Sequence, residues 1–317
     1  MYKITTMKMN DIPQALNIWH QQFDKYCKSD SFPDFWTTGK ETVKQYLVQQ
    51  IDRGNAIVAL NDTSIAGYMA WMNFDFHGEK TSFLPIVGNA AIAENENAIF
   101  HAMYLSASEK WVRDNRFNHL WMTYYDDIGL NERLYDLGFG SLVIDACRKT
   151  ETQIVTSTST YKITKATQDE VSEVLAMENE SEENLLKSPV FLNRQQWKRD
   201  EIIKFIDSDS VFIAWDNDRA IGMMSVNINQ NHHIEHLTIT NSAGSLCAYI
   251  RPEYRGKGVG TQILHRVCEY CYKNGKPFLH VSFESANPDG IRFWPKHFRP
   301  IIRSVRRTVN KDANIAL

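Results

Sequence analysis

The chain has 317 residues, more than one hydrophobic core usually serves, so two domains are the natural expectation. A net charge of −3, with 43% hydrophobic and 23% charged residues, fits a globular protein and gives no footing to nucleic-acid or membrane-surface partners. No apolar run approaches the ~18 residues of a membrane span, the first residues lack a signal-peptide pattern, and five sparse cysteines suit a reduced, cytoplasmic protein, a monomer or homodimer.

In chain order, the first feature is a repeat. "YKIT" occurs at Tyr2–Thr5 and again at Tyr161–Thr164, and each copy leads into a helical pattern. "NAIVALNDTSIAGYMAWMNF" from Asn55 aligns with "SVFIAWDNDRAIGMMSVNIN" from Ser210, placing Gly67 on Gly222, and "LYDLGF" at Leu134 falls on "FWPKHF" at Phe293. Three matches in one order at nearly one offset indicate a duplicated domain. The polar seam "KTETQIVTSTST", Lys149–Thr160, divides the chain into domains 1–150 and 160–317.

The second copy opens with a strand near Tyr161–Thr167, then helical patterns near Asp169–Glu180 and Asn193–Ile206. "SVFIAW" and "AIGMMSVNI" predict a hairpin turning at Asp216–Arg219. "SLCAYI" reads as a buried strand, Val259–Asn274 as a helix stopped by Gly275, "PFLHVSF" as a strand, the stretch from Asn287 as a short helix, and "IIRSVRRTV" as a last strand.

Between the strand ending at Ile250 and the helix from Val259 stands "RPEYRGKGVG", with Gly256, Gly258 and Gly260 at alternate positions. Glycine at every second position suits neither strand nor helix interior. A strand, a glycine turn and a helix together form an anion site: the first helical amides lack partners, the helix dipole is positive there, and small residues admit a phosphate. The loop Arg255, Gly256, Lys257, Gly258, Val259, Gly260, Thr261 is therefore expected to hold a diphosphate, with Arg255 and Lys257 adding charge at its rim. A Walker loop does not fit, because no lysine precedes Thr261, and the dinucleotide fingerprint is one residue short.

The order Arg255-Gly256-Lys257-Gly258-Val259-Gly260 fits the pyrophosphate loop of acyl-coenzyme A transferases, Arg/Gln-x-x-Gly-x-Gly/Ala. With Asn287 and "RFWPKHF", it makes Tyr161–Val309 resemble a GCN5-related N-acetyltransferase (GNAT) domain. The first half resembles a degenerate copy, with a lone Gly88 and with Glu94 and Glu96 where a phosphate would sit. The implied fold class is α/β (α+β): two tandem GNAT-like domains, each a mixed, mostly antiparallel sheet flanked by helices.

The resemblance also implies a site. Acetyl-CoA is the expected cosubstrate, with no metal. Its pantetheine arm would lie along Ala248, Tyr249 and Ile250, using main-chain groups of Ala248 and Ile250, with Asn287 bonding the arm and Phe293 and Trp294 packing on it. The acceptor is a small-molecule amine or a peptide amine, and an alkylammonium must first lose a proton. Glu284, ending the fifth strand, and Glu235 are the candidate bases, with His236 as a further one. Family members often place a thiolate-protonating tyrosine where this chain has Trp294; the first half has Tyr135 in that slot. A coenzyme A-binding sensor with little catalysis is the alternative.

Other signals carry bland readings. "HHIEH", His232–His236, splits its side chains between two faces if it is a strand, and Cys268-x-x-Cys271 lies within a helix without a second pair. Cys247 shares a strand face with Tyr249, which makes its thiol core rather than nucleophile, and "FPDFW", Phe32–Trp36, closes a core or lines a pocket.

Overall fold

The computed structural model describes residues 2–27, 36–62, 64–151, 161–229, 232–239, 241–245 and 247–313. Residues 152–160 of the expected seam and Phe32–Phe35 of the aromatic stretch lie outside them. The chain divides into two compact units, Met1–Asp145 with His233–Thr238 and Pro300–Leu317, and Ala146–His232 with Ile239–Arg299.

The first unit runs β1 (Lys3–Thr6), α1 (Ile12–Cys27), α2 (Trp36–Asp52), β2 (Ala56–Asn61), β3 (Ser64–Ala70), β4 (Met72–Phe76), β5 (Glu79–Leu84), β6 (Asn89–Ala91), α3 (Glu96–Arg113), β7 (Asn118–Tyr124), α4 (Ile128–Asp136) and the start of β8 (Gly140–Lys149). The second runs β9 (Lys162–Lys165), α5 (Val171–Leu186), α6 (Arg199–Ser208), β10 (Ser210–Asp216) and β11 (Arg219–Val226). A two-stranded ribbon comes next in the chain, β12 (His232–Ile234) and β13 (Leu237–Ile239), of which His233–Thr238 belong to the first unit; the second unit continues with β14 (Ser242–Ser245), β15 (Ala248–Ile250), α7 (Val259–Lys273), β16 (Phe278–Glu284) and α8 (Pro288–His297). The last strand is β17 (Arg299–Thr308).

The duplication is visible in the strand pairing. One unit has the order β1-β2-β3-β6 and the other β9-β10-β11-β15, all antiparallel. The register slips between Ala59 and Leu60 in one hairpin and between Ala214 and Trp215 in the other, the same place in the repeat. Gly67 pairs with Ala91, and Gly222 with Ile250. A Cβ on Gly67 would lie 2.9 Å from the Ala90 carbonyl; one on Gly222 would lie 3.1 Å from the Tyr249 carbonyl and collide with Ile250. Both glycines thus admit the neighbouring strand at close approach. Gly222→Ala is expected to cost about 1–3 kcal/mol of stability, read as a lower urea midpoint; an unchanged midpoint would show that β15 can retreat freely.

In the second unit the hairpin turns at Asn217, in a left-handed conformation, and Asp218. Val211 and Ile213 face a core built from Val171, Val174 and Met177 of α5 and Ile202, Phe205 and Ile206 of α6. Phe212, on the opposite face, meets Tyr270 of α7 at 5.3 Å between ring centroids. Helices on both faces explain why the strand is buried from Ser210 to Ala214.

Three departures from the sequence reading matter. The second helix begins at Arg199, six residues later than expected. The "HHIEH" stretch is not one strand, since Glu235 adopts a left-handed φ of 48° and, with His236, turns β12 into β13. Finally, β17 belongs to the first unit, not to a domain spanning 160–317. It pairs antiparallel with β7 from Ile302↔Tyr124 to Thr308↔Asn118, and Val305 enters the aromatic core of Trp71, Trp111 and Trp121. Arg303, Arg306 and Arg307 bond Ser141, Asn118 and Tyr104 there.

Candidate active site

β15 is the outer strand of its sheet, while β16 belongs to another with β14, so the two strands part. On the inner side of β15, the Cys247 carbonyl accepts from Ser225 N at 2.9 Å and Arg251 N donates to the Ile221 carbonyl at 3.0 Å. Strand alternation then directs the main-chain groups of Ala248 and Ile250 to the open edge. Ala248 is exposed, Tyr249 buried and Ile250 half-buried. The Ile250 carbonyl is already engaged by Arg255 Nε at 2.9 Å, so the edge offers both Ala248 groups and the Ile250 amide.

The glycine loop follows. Gly256 and Gly258 have φ of 74° and 80°, a region that side chains rarely tolerate. Gly258 is the N-cap of α7 and brings no side chain to its first turn, so the leading amides are directed out of the helix. A Cβ on Gly256 would meet nothing within 4 Å, which leaves an open approach to the loop. The Gly260 Cβ position lies 3.2 Å from the Phe293 ring, and Thr261 Oγ1 is 3.3 Å from His297 Nε2, so α8 abuts the first turn of α7. Loop geometry, open edge and helix dipole together fit a diphosphate with an extended arm.

Two side chains serve differently from expectation. The Arg255 guanidinium turns inward to the Ile250 carbonyl, to Asp289 Oδ2 at 2.6 Å and to Asn184 Oδ1 at 3.4 Å. It fixes the loop against α5 and α8 and leaves the exposed Lys257, its Nζ 5.2 Å from the Tyr254 ring, as the rim cation. Asn287 caps α8, its Oδ1 accepting from Asp289 N at 3.0 Å and Gly290 N at 3.2 Å. Phe293 is half-buried, and Trp294 packs on Phe293 and Phe298 at 4.9 and 5.4 Å.

The candidate bases separate. Glu284 ends β16 in the second unit, half-buried. Glu235 and His236 lie in the first unit, where His236 packs on Tyr46 at 4.8 Å. Although Glu235 is exposed on the surface, partial desolvation, followed by Asp145, raises its carboxyl, and burial lowers the half-buried His236. Sequence reasoning missed Glu178 of α5, 2% exposed, whose Oε2 accepts from the Cys247 thiol at 3.3 Å. Its signal was an acid on the face that carries Val171, Val174 and Met177. Burial above all pushes the Cys247 thiol well up, which disfavours it as a nucleophile. Burial also pushes Cys271 up to about 12, and both Cys268 and Cys271 are buried in α7. Among the described residues, no cluster of metal-ligating side chains occurs and no disulfide forms.

The equivalent loop of the first unit is shorter: Ala91 to the α3 N-cap Asn95 spans four steps, against eight from Ile250 to Gly258. The α3 N-terminus carries Glu96, 9% exposed, whose carboxylate accepts from Gln22 Nε2 at 2.6 Å and Lys25 Nζ at 2.8 Å. A fixed carboxylate there opposes a phosphate.

The geometry of loop, open edge and abutting α8 has a counterpart among known families: residues 172–298 match the profile of the Acetyltransferase (GNAT) family. That segment is therefore similar to a GNAT acetyltransferase domain. An uncharacterised N-acetyltransferase from Methanocaldococcus jannaschii is 21% identical over 153 residues, 47% of this chain; the chain covers 65% of that relative. A GCN5-related N-acetyltransferase from Sphaerobacter thermophilus, 11% identical, superposes with a TM-score of 0.54 over 97% of this chain and 95% of its own. A glucosamine N-acetyltransferase region of a fungal multi-domain β-N-acetylglucosaminidase gives 0.54 at 14% identity, over 97% of this chain and 38% of its own. At these identities the likeness is one of fold, a mixed α+β architecture with sheets flanked by helices. No helix among the described residues is long and apolar enough to cross a membrane.

Proposed function

We propose that the GNAT domain transfers an acetyl group from acetyl-CoA directly to an amine, in a small molecule before a peptide. The observation that carries this reading is the loop at Gly256–Gly258, with two left-handed glycines, an open approach and an uncapped helix start beside the open edge of β15. The α7 amides and Lys257 would hold the diphosphate, and the edge groups of Ala248 and Ile250 the arm. Acetyl-CoA supplies the activated acetyl group. The domain orients it, and an amide donor on the β15 edge would steady the carbonyl oxygen as charge develops. A carboxylate takes the ammonium proton beforehand.

Trp294 favours a second reading, a coenzyme A sensor, because its indole N–H is no acid for a departing thiolate. Thiol release from acetyl-CoA with a panel of alkylamines, run beside calorimetric acetyl-CoA binding, separates the two. Amine-dependent release supports the transferase; binding without acceleration by any amine supports the sensor; and no binding removes both.

A further inference from the structure

The second half of α5 runs alongside β15 and the glycine loop. Glu178 meets Cys247, Glu180 holds Arg251 through bonds of 2.9 and 3.1 Å, and Asn184 meets Arg255. Glu178 therefore stands beside the residue that immediately precedes Ala248. It is 2% exposed, and its Oε1 has no hydrogen-bond partner. A buried acceptor left so is destabilising, and an apolar residue at this core position would avoid it. One turn on, Glu182 is 9% exposed; its Oε1 lies 3.9 Å from Arg194 Nη1, and its Oε2 has no hydrogen-bond partner. Two buried carboxylate oxygens without hydrogen-bond partners on one helix face suit a cationic ligand.

We propose that Glu178 is the proton acceptor for the acceptor amine, with Glu182 drawing the ammonium to it. The inference rests on the transferase reading above. The ammonium gives one proton to Glu178 Oε1; the freed nitrogen pair forms the C–N bond as the C–S bond breaks with its electrons on sulfur. The second nitrogen proton leaves with sulfur as the free thiol, and Glu178 returns its own to solvent. Burial raises the Glu178 carboxyl to about 7; the Cys247 thiol lowers it, Glu182 raises it further and Arg194 lowers it. A base near neutrality can both take and release a proton at physiological pH.

The test compares the parent, Glu178→Gln and Glu178→Asp in kcat against pH at saturating amine, with acetyl-CoA Kd by calorimetry. The parent should show an acid limb near pH 7. Glu178→Gln should lose about 10²–10⁴-fold in kcat together with that limb, with Kd changed less than about 2-fold, and Glu178→Asp should recover part of the rate. Cys247→Ala, which removes the bond to the charged carboxylate, should move the limb up by about one pH unit. That variant keeps the test open if Glu178→Gln fails to fold. A Glu178→Gln enzyme with parental kcat and limb, or a limb unmoved by Cys247→Ala, overturns this proposal alone. A parent without amine-dependent release overturns the transferase reading with it.

Discussion

Gly256→Val is expected to weaken acetyl-CoA binding by at least ~100-fold, about 2.7 kcal/mol, with only a modest loss of stability. At φ 74° the new side chain costs the backbone ~1–2 kcal/mol. Its Cβ meets nothing within 4 Å, so no packing is disturbed. What it does fill is the approach to the loop amides. Gly275→Val at the other end of α7 is the matched control: φ is 70° and its Cβ position is equally open, but no anion site exists there. Both variants should lose similar melting temperature, and calorimetry should find weak binding in Gly256→Val alone. Equal affinities in the two would mean that the diphosphate is held elsewhere, and the transferase reading would lose its carrying observation.

Local chemistry was legible in the sequence and long-range pairing was not. Gly256 and Gly258 announced left-handed backbone, the run from Val259 to Gly275 announced a capped helix, and Asn217–Asp218 a hairpin turn; each depends on residues a few positions apart. The repeat was legible because both copies kept the same packing demand, a glycine where the neighbouring strand presses in at Ala90 and at Tyr249. The unit to which β17 belongs was hidden. Its partner β7 lies about 180 residues earlier, and what decides the pairing is Val305 among tryptophans and arginines matched to Asn118 and Tyr104. Arg255 was misjudged for a related reason. Its motif position speaks of phosphate, while Asp289 and Asn184, which engage it, come from distant helices. Glu178 was in plain view as an acid on an apolar helix face, but only folding reveals that Cys247 lies against it and that one oxygen is left without a partner.

A buried acid of this kind leaves a mark on stability that does not depend on any substrate. The Glu178 carboxyl titrates at about 7 in the folded chain against an ordinary value of 4.5. Between those values the folded state keeps a proton that the unfolded state has released, so the parent loses stability as pH rises through this window. The contribution is intact below about pH 4.5 and gone above about pH 7, roughly 3 kcal/mol in all. Glu178→Gln cannot ionise and lacks that slope. At pH 8 the variant is therefore expected to be more stable than the parent by an amount that shrinks by about 2–3 kcal/mol on going to pH 5. Urea titrations of both proteins from pH 5 to 8 measure it, and the difference between the two curves cancels the other titrating groups. A difference that stays flat with pH would mean that Glu178 ionises at its ordinary value, and a carboxylate of that kind would have little drive to hold a proton taken from an amine. A sloping difference would mean that the fold gives up stability at neutral pH to keep an acid in its core, the kind of sacrifice expected where a side chain is retained for chemistry rather than packing.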